Sequence, residues 1–375
     1  MTIKGTFSAG LFRLNNFLIA LLMILIVSAF TIKSIRGQNG DTGKQTVLEL
    51  PKGPDNPRNS EGDFITLKNG NILFIYSHFT GKSGSDFGHG YLASRYSEDS
   101  GKTWSKQDKI EVKQEGDMNV MSVSLLRLKN NSVALFYARK NSEEDLIPMM
   151  RISNDECNNW SEPVPCISDK KGYFVLNNNR VIQLNNGRLI MPVALHRVPG
   201  GKWSNSGKLF TYFSDDNGKT WKSGKEVPNP ENVITQEPGI IQLTNDSLFM
   251  FIRTDTGVQY ASYSTDNGVS WSAVQPTHIA SPLSPASIAR IPDTRDLLMA
   301  WNNNGTNEKR TPLNVAISKD EGKTWEHIKL IEDDPKGVYC YTAIHFTGNY
   351  VLLAFANWKT MGTTIERVSI PWIYE

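Results

Sequence analysis

A short set of polar residues in this 375-residue chain has the types and order to do chemistry: Arg58, Glu61 and Asp63 ahead of an apolar run, Asp86 in the Gly-rich stretch GKSGSDFGHG, then Glu237, Arg253, Arg310 and Tyr341. A phenol with a pKa near 10 is a poor nucleophile at neutral pH, but a neighbouring carboxylate such as Glu237 can take its proton as a bond forms. Arginines such as Arg253 and Arg310 offer planar forks that match a carboxylate, each bond charge-assisted. An acid at Asp86 could protonate a leaving oxygen, and the glycines around it would let the loop close over a substrate. Each residue also has a purely structural reading. Arg253 and Arg310 could pair with Glu237 and Glu308, Tyr341 could be a core aromatic with a satisfied hydroxyl, and His89 competes with Asp86 as the acid. His196, directly after IMPVAL, is a further candidate to line a pocket. Residues this far apart share a site only if a repeating scaffold keeps returning the chain to one place.

The scaffold is announced by a nine-residue box. YSEDSGKTW from Tyr96, FSDDNGKTW from Phe213, YSTDNGVSW from Tyr263 and ISKDEGKTW from Ile317 are close copies, and ISNDECNNW from Ile152 is a worn one. An Asp two residues after Ser and shortly before Gly is turn chemistry: the carboxylate accepts backbone N–H bonds while Gly takes the positive φ of the bend. The box is therefore a hairpin tip, with the alternating residues Gln259 to Tyr263 as the strand entering it. The Trp can fold back onto the sheet, contributing on the order of 4–6 kcal/mol per box as an upper bound. That is a structural staple rather than a catalytic feature.

The box serines fall at 97, 153, 214, 264 and 318, so the intervals are 56, 61, 50 and 54 residues. A period near fifty with about four short strands per unit points to the blades of a β-propeller. The unit around Trp271 reads EPGIIQLT, SLFMFIRT, QYASYS, box, SAVQPTHI, and matching units open at FITLKNG, MSVSLLRL, NNRVIQL and SPASIARIP. After the fifth box, CYTAIHFT, NYVLLAFA and TTIERVSI make a sixth unit without an outer strand, which TVLELP from Thr46 would supply. The expected fold is all-β: a six-bladed β-propeller with four-stranded antiparallel blades, its ring closed by the N- and C-terminal strands, occupying residues 41–375. Site residues should then come from the first strands and the loops around them, where blades meet near the axis.

Lys and Arg number 40 against 38 acids, but four of the bases lie in the first forty residues, which hold no acid. The remainder carries 36 against 38, a net of −2, so there is no global field for nucleic acid and any anionic ligand must be gripped locally. Residues 17–32, FLIALLMILIVSAFTI, are unbroken apolar with bases on both sides. Residues 1–40 are expected to be a signal peptide, with Val27-Ser28-Ala29 as cleavage site, or an N-terminal membrane anchor plus linker. The protein is expected to be exported, to the periplasm or outside the cell. No Cys follows the run, which argues against a lipoprotein. Cys157 and Cys166 could bridge one hairpin or stay unpaired in the core, leaving Cys340 free; no zinc spacing is present.

At these residues the chain resembles the sialidases (neuraminidases), whose repeats are called Asp boxes or bacterial neuraminidase repeats. The resemblance runs from about Glu61 to the end. EPGIIQLTNDSLFMFIR looks like the family's stretch in which a Glu opens one strand and an Arg closes the next, suggesting Glu237 and Arg253. RTPLNVAISKDEGKTW resembles the segment in which an Arg precedes a strand and the last box, suggesting Arg310, and YCYTAI is similar to the Tyr-Ser-x-Leu stretch, suggesting Tyr341. The loop acid before the first box suggests Asp86. The resemblance implies an exo-acting, retaining glycoside hydrolase that releases a terminal acidic sugar, sialic acid or a related keto-acid sugar, from glycans. Its catalytic residues would be Tyr341, Glu237 and Asp86, its substrate-binding residues Arg253, Arg310, Arg58 and Glu61, with no metal or organic cofactor. Sialidases with a Tyr nucleophile are an exception to the usual two-carboxylate scheme.

One departure bears on the substrate. Sialidases usually open with an Arg-Ile-Pro stretch, whose Arg is the first of three that hold the sugar carboxylate. Here NSEGDFITL puts Glu61-Gly62-Asp63 in that place. Either Arg58 reaches in from upstream, or the clamp has two arginines and an added acid, which would repel a carboxylate or accept hydroxyl hydrogen bonds. Two other classes stay open: a polysaccharide lyase acting on uronate-containing glycans, with Tyr341 or a His as base, and a non-catalytic glycan-binding propeller.

Overall fold

The computed structural model of the chain describes Met1 and residues 43–306 and 308–375; the apolar run 17–32 lies outside the described residues. No helix among the described residues is long and apolar enough to cross a membrane. Residues 44–375 form one compact unit of antiparallel meanders, followed by a single short helix, Ile370–Tyr374.

Five sheets hold the strands of the described residues. The first is Asn59–Thr66, Ile72–Phe79, Gly90–Ser97 and Lys109–Val112, in that order. A nine-stranded sheet contains two successive meanders. One comprises Asn119–Arg127, Val133–Ser142, Asp145–Ser153 and Val164–Pro165; the other comprises Tyr173–Val175, Ile182–Gln183, Leu189–Arg197, Lys208–Ser214 and Lys222–Ser223. They are joined where Tyr173 pairs in parallel with Leu146. Two regular four-stranded sheets follow: Thr235–Gln242, Leu248–Thr254, Val258–Ser264 and Gln275–Ala280, then Ser287–Arg290, Leu297–Asn302, Leu313–Ser318 and Glu326–Glu332. The last sheet runs Tyr339–Thr347, Tyr350–Asn357, Gly362–Ser369 and finally Lys44–Leu50, so the first strand of the described chain is the outermost strand of its last sheet.

Why the strands are so apolar follows from this stacking. A second strand such as Ile72–Phe79 is covered on both faces by neighbouring sheets, so ILFIYSHF is buried at all but one position instead of alternating. Phe64, Phe74 and Tyr76 of the first sheet pack with Leu352, Ala354 and Ile365 of the last. Ile190 and Leu209 of the nine-stranded sheet pack with Ile240, Leu248 and Trp271 of the next.

The boxes join third strands to fourth strands, as turn chemistry requires. In the copy at Ser264, the Ser Oγ donates to Asp266 Oδ1 (2.8 Å) and accepts from Gly268 N (3.0 Å), while Asp266 accepts from Ser270 N (2.9 Å) and Ser270 Oγ (2.5 Å). The residues Asn267 and Gly268 both have positive φ. In the worn copy the Gly position is Cys157, which takes φ +64 despite its side chain. The tryptophans bury less than expected. Only Trp271 is buried, at 7 % exposure, whereas Trp104, Trp160, Trp221 and Trp325 are half-buried, so the upper bound of the staple applies to one box alone. All three cysteines are free and buried.

The box glycine serves two needs, conformation and contact. At Gly268, φ is +82 and an added Cβ would lie 2.2 Å from Cδ1 of the buried Ile190 in the neighbouring sheet. Gly268→Ala is expected to lower unfolding free energy by about 2–4 kcal/mol, the sum of left-handed strain and overpacking. Gly70→Ala, at φ +88 with nothing within 4 Å, should show the strain alone. Denaturant melts of the two variants measure the difference.

Candidate active site

The cavity is built from a repeated flaw in the strands. Register skips between Ser60 and Asp63, Met121 and Ser124, Gln236 and Gly239, and Cys340 and Ala343, always in the first strand of a meander. Inside each skip sits a non-glycine residue with positive φ: Glu61 (54°), Ser122 (61°), Glu237 (43°) and Tyr341 (58°). A bulge re-aims a side chain, and left-handed backbone costs about 1–2 kcal/mol at a residue other than glycine. All four side chains are aimed into one cavity of about 350 Å³, within the range typical of small-molecule sites.

Four strained positions pointing at one space are a functional signal, because such strain clusters at active sites and ligand clamps. Asp86, His196, Arg253 and Arg310 also line the cavity, with Asn177, Trp203 and Trp358 around them. The structure thus brings Glu237, Arg253, Arg310 and Tyr341 together from three sheets and their connecting loops.

At the centre, the Tyr341 hydroxyl donates to Glu237 Oε1 at 3.2 Å, and Arg253 NH1 donates to Glu237 Oε2 at 2.5 Å. Burial works to raise the Glu237 pKa, but the charges of Arg253 and Arg310, with hydrogen bonds from Arg253 and Tyr341, hold it below the usual glutamate value. Burial, reinforced by the Glu237 charge, pushes the Tyr341 phenol well above its ordinary value, and Arg310 and Arg253 only partly oppose this. The pair is therefore a neutral phenol beside a ready proton acceptor at neutral pH.

Arg253 is the expected ion pair with Glu237 realised, yet its guanidinium still faces the cavity. Arg310 differs. Its Nε donates to Leu283 O and its NH1 to the Cys340 thiol, and no carboxylate among the described residues lies within ion-pair distance. It is the guanidinium best placed to take an anion from solution.

The Glu61 end has its own logic. Arg58, 2 % exposed, does not line the cavity but stands behind it, stacked over Phe79 and Trp358. Its NH2 donates to Glu61 Oε1 (2.6 Å) and its NH1 to Asp86 Oδ1 (2.5 Å). Of the two arrangements open at the first-arginine position, the geometry matches two arginines at the cavity and an added acid. Glu61 also accepts from the Ser122 hydroxyl at 2.5 Å, and burial raises its pKa against the pull of Arg58. The Asp86 side chain is 57 % exposed at the rim. Burial works to raise its pKa, but Arg58 prevails through charge and hydrogen bond, aided by Lys140 and Arg310, and holds the carboxyl below its ordinary value.

Of the other candidates, Asp63 and His89 fall elsewhere. Asp63 points away, accepting from Phe64 N, Leu125 N and Asn179 Nδ2 as a knot between meanders. Burial still pushes its pKa up to about 7. His89 is exposed and bonds Met118 O and Gln114. His196 lines the cavity, its ring stacked on Trp203 at 5.0 Å.

Ser122 and Asn177 are missed by reading polar residues alone. Superposing MSVSLLRL on EGDFITL and EPGIIQLT would have exposed Ser122 at the bulge position. No such signal marks Asn177.

An all-β fold of antiparallel meanders with Asp-box turns, whose first strands aim a phenol and two carboxylates into one cavity beside two guanidiniums from a second strand and a loop, defines the class of protein: a sialidase-like chain. The BNR repeat-like domain model matches residues 111–353, and the chain belongs to that family. Among curated relatives it is similar to a sialidase of Paraclostridium sordellii, 26 % identical over 289 residues covering 68 % of this chain and 69 % of the relative. It is also 26 % identical to a sialidase of Bacteroides fragilis over 194 residues, covering 48 % of this chain but only 34 % of that one. In fold it is similar to the intramolecular trans-sialidase of Ruminococcus gnavus, with TM-score 0.70, 16 % identity, and coverage of 90 % of this chain and 99 % of the other. A protein of unknown function from Dyadobacter fermentans superposes with TM-score 0.68 at 18 % identity, over 87 % of this chain and all of that one.

Proposed function

We propose that this chain is an exo-acting glycoside hydrolase that releases a terminal acidic sugar, sialic acid or a related keto-acid sugar, from glycans with retention of configuration. The observation that carries the reading is the Tyr341 hydroxyl 3.2 Å from the Glu237 carboxylate, in the same cavity as Arg253 and Arg310. Arg310, with the free part of Arg253, holds the sugar carboxylate. Tyr341 Oη attacks the anomeric carbon as Glu237 takes the phenol proton, and Asp86 protonates the departing glycosidic oxygen. Water then attacks the glycosyl-tyrosine, giving its proton to Asp86, and Tyr341 leaves with the proton returned by Glu237. A neutral phenol as nucleophile avoids driving a carboxylate against an anionic sugar.

The scaffold is, in this reading, a six-bladed propeller. The nine-stranded sheet supplies two blades, the three regular sheets and the last sheet supply the others, and Lys44–Leu50 closes the ring. Residues 1–40 act as a signal peptide or membrane anchor that sends the domain of residues 41–375 to the periplasm or outside.

Because Arg58 holds Asp86 below its ordinary pKa, the acid form is scarce at neutral pH. Glu237, also lowered, stays ionised into the acidic range. Rates (kcat/KM) on unactivated glycosides are therefore expected to climb as pH falls from 7 toward about 4, and to stay nearly flat for aryl glycosides that need little protonation. A pH–rate profile of the two substrate types checks this.

The reading itself is tested by incubating the protein with aryl glycosides of sialic acid, related keto-acid sugars and uronic acids. Release of the aryl group from a keto-acid sugar supports it. Turnover of none, or an unsaturated product from a uronate, overturns it.

A further inference from the structure

Lys140 is a long cation buried to 1 % exposure, and the mechanism above makes no use of it. No carboxylate oxygen lies within ion-pair distance of its ammonium among the described residues, a situation that ordinarily costs several kcal/mol. A methionine would fill the same space without that cost, so packing alone does not account for a lysine here. What the ammonium does touch is specific. Nζ donates to the backbone carbonyl of Asp86 at 2.6 Å and lies 4.7 Å from the Phe87 ring centre and 5.4 Å from that of Tyr173.

Its cross-strand partner points the same way. Asn119 and Lys140 are directly opposed on adjacent antiparallel strands, which puts their side chains on one face. Asn119 Nδ2 donates to Asp86 O (2.8 Å) and Gly88 O (2.6 Å). Three hydrogen bonds from two buried donors thus converge on two carbonyls of an otherwise exposed loop, while the Asp86 carboxylate stays open to solvent.

We propose that Lys140 and Asn119 are the positioning residues of the acid/base group: they clamp the backbone of the loop so that the Asp86 carboxyl is held at the cavity rim without being enclosed. Neither residue lines the cavity, so neither touches substrate. Lys140 acts through Asp86, and this assignment rests on the glycosidase reading for the role of Asp86 alone.

The test is Lys140→Met, with Asn119→Ala as a second variant, in the full chain. The probes are the 4-nitrophenyl and methyl glycosides of whichever acidic sugar the wild type turns over, with kcat/KM reporting the step in which the leaving group departs. A good leaving group needs little acid, so kcat/KM on the methyl glycoside is expected to fall by about 100-fold and on the 4-nitrophenyl glycoside by less than about fivefold. Equal losses on both would assign Lys140 a merely structural role, and no loss on either would assign it none; both overturn the proposal. Hydrogen exchange of residues 81–89 decides the clamp independently of activity. Exchange at least about tenfold faster in Lys140→Met, with the strands unchanged, supports it. Unchanged loop exchange overturns it, even if the wild type turns over no glycoside and the glycosidase reading has fallen on its own.

Discussion

Tyr341→Phe is expected to reduce turnover by on the order of 10⁴-fold while leaving the fold in place. The substitution removes one oxygen, which makes a single hydrogen bond of 3.2 Å to Glu237. Glu237 keeps its bond from Arg253, so the stability cost should be about 1 kcal/mol, a change in Tm of a few degrees at most. In the proposed mechanism the chemistry, by contrast, loses its nucleophile. Steady-state rates on an aryl glycoside, with a thermal melt beside them, separate the two effects. A variant within about tenfold of wild type would show that the phenol forms no bond to the sugar and would leave a binding propeller or a different base as the alternatives.

Arg310→Met should act on binding instead. The methionine retains most of the apolar stem but deletes a cavity guanidinium that has no carboxylate partner among the described residues. Losing two charge-assisted bonds at about 1.5 kcal/mol each predicts a KM on the order of 100-fold higher for an acidic sugar. The methyl ester of the same sugar should bind wild type and variant about equally, because the interaction lost is with the carboxylate. An unchanged KM for the free acid would remove Arg310 from the substrate clamp.

How much of this was legible beforehand depended on whether local chemistry or distant pairing decided the outcome. The box turns were readable because Ser, Asp, Gly and Thr are each demanded by a hydrogen bond or a φ value within nine residues, as at Ser264 to Ser270. The pairing of the terminal strand with Gly362–Ser369 followed from counting strands per unit, since the last unit was one short. Burial of the tryptophans was overestimated, because whether an indole is covered depends on the next sheet and not on the box that carries it. The joint at Tyr173 and Leu146 was invisible, resting on one residue pair between distant strands. Lys140 was equally hidden: in VALFYARKNS nothing marks a lysine as buried, and only the return of the loop at Asp86 makes it so. Arg58 and Glu61 were legible as residues but not as an arrangement, because Glu61 sits in a bulge and Arg58 is shared with Asp86 of a later loop.

The sheet that carries Tyr341 is completed by the strand Lys44–Leu50, almost three hundred residues earlier in the chain. During synthesis this early segment must therefore wait, unpaired and partly apolar, until Gly362–Ser369 has been made. The entropy of closing so long a span must be met before its contacts form, which places completion of the sheet that carries Tyr341 among the late events of folding. A chain lacking Lys44–Leu50 would keep its meanders and leave the edge of Gly362–Ser369 open to another strand.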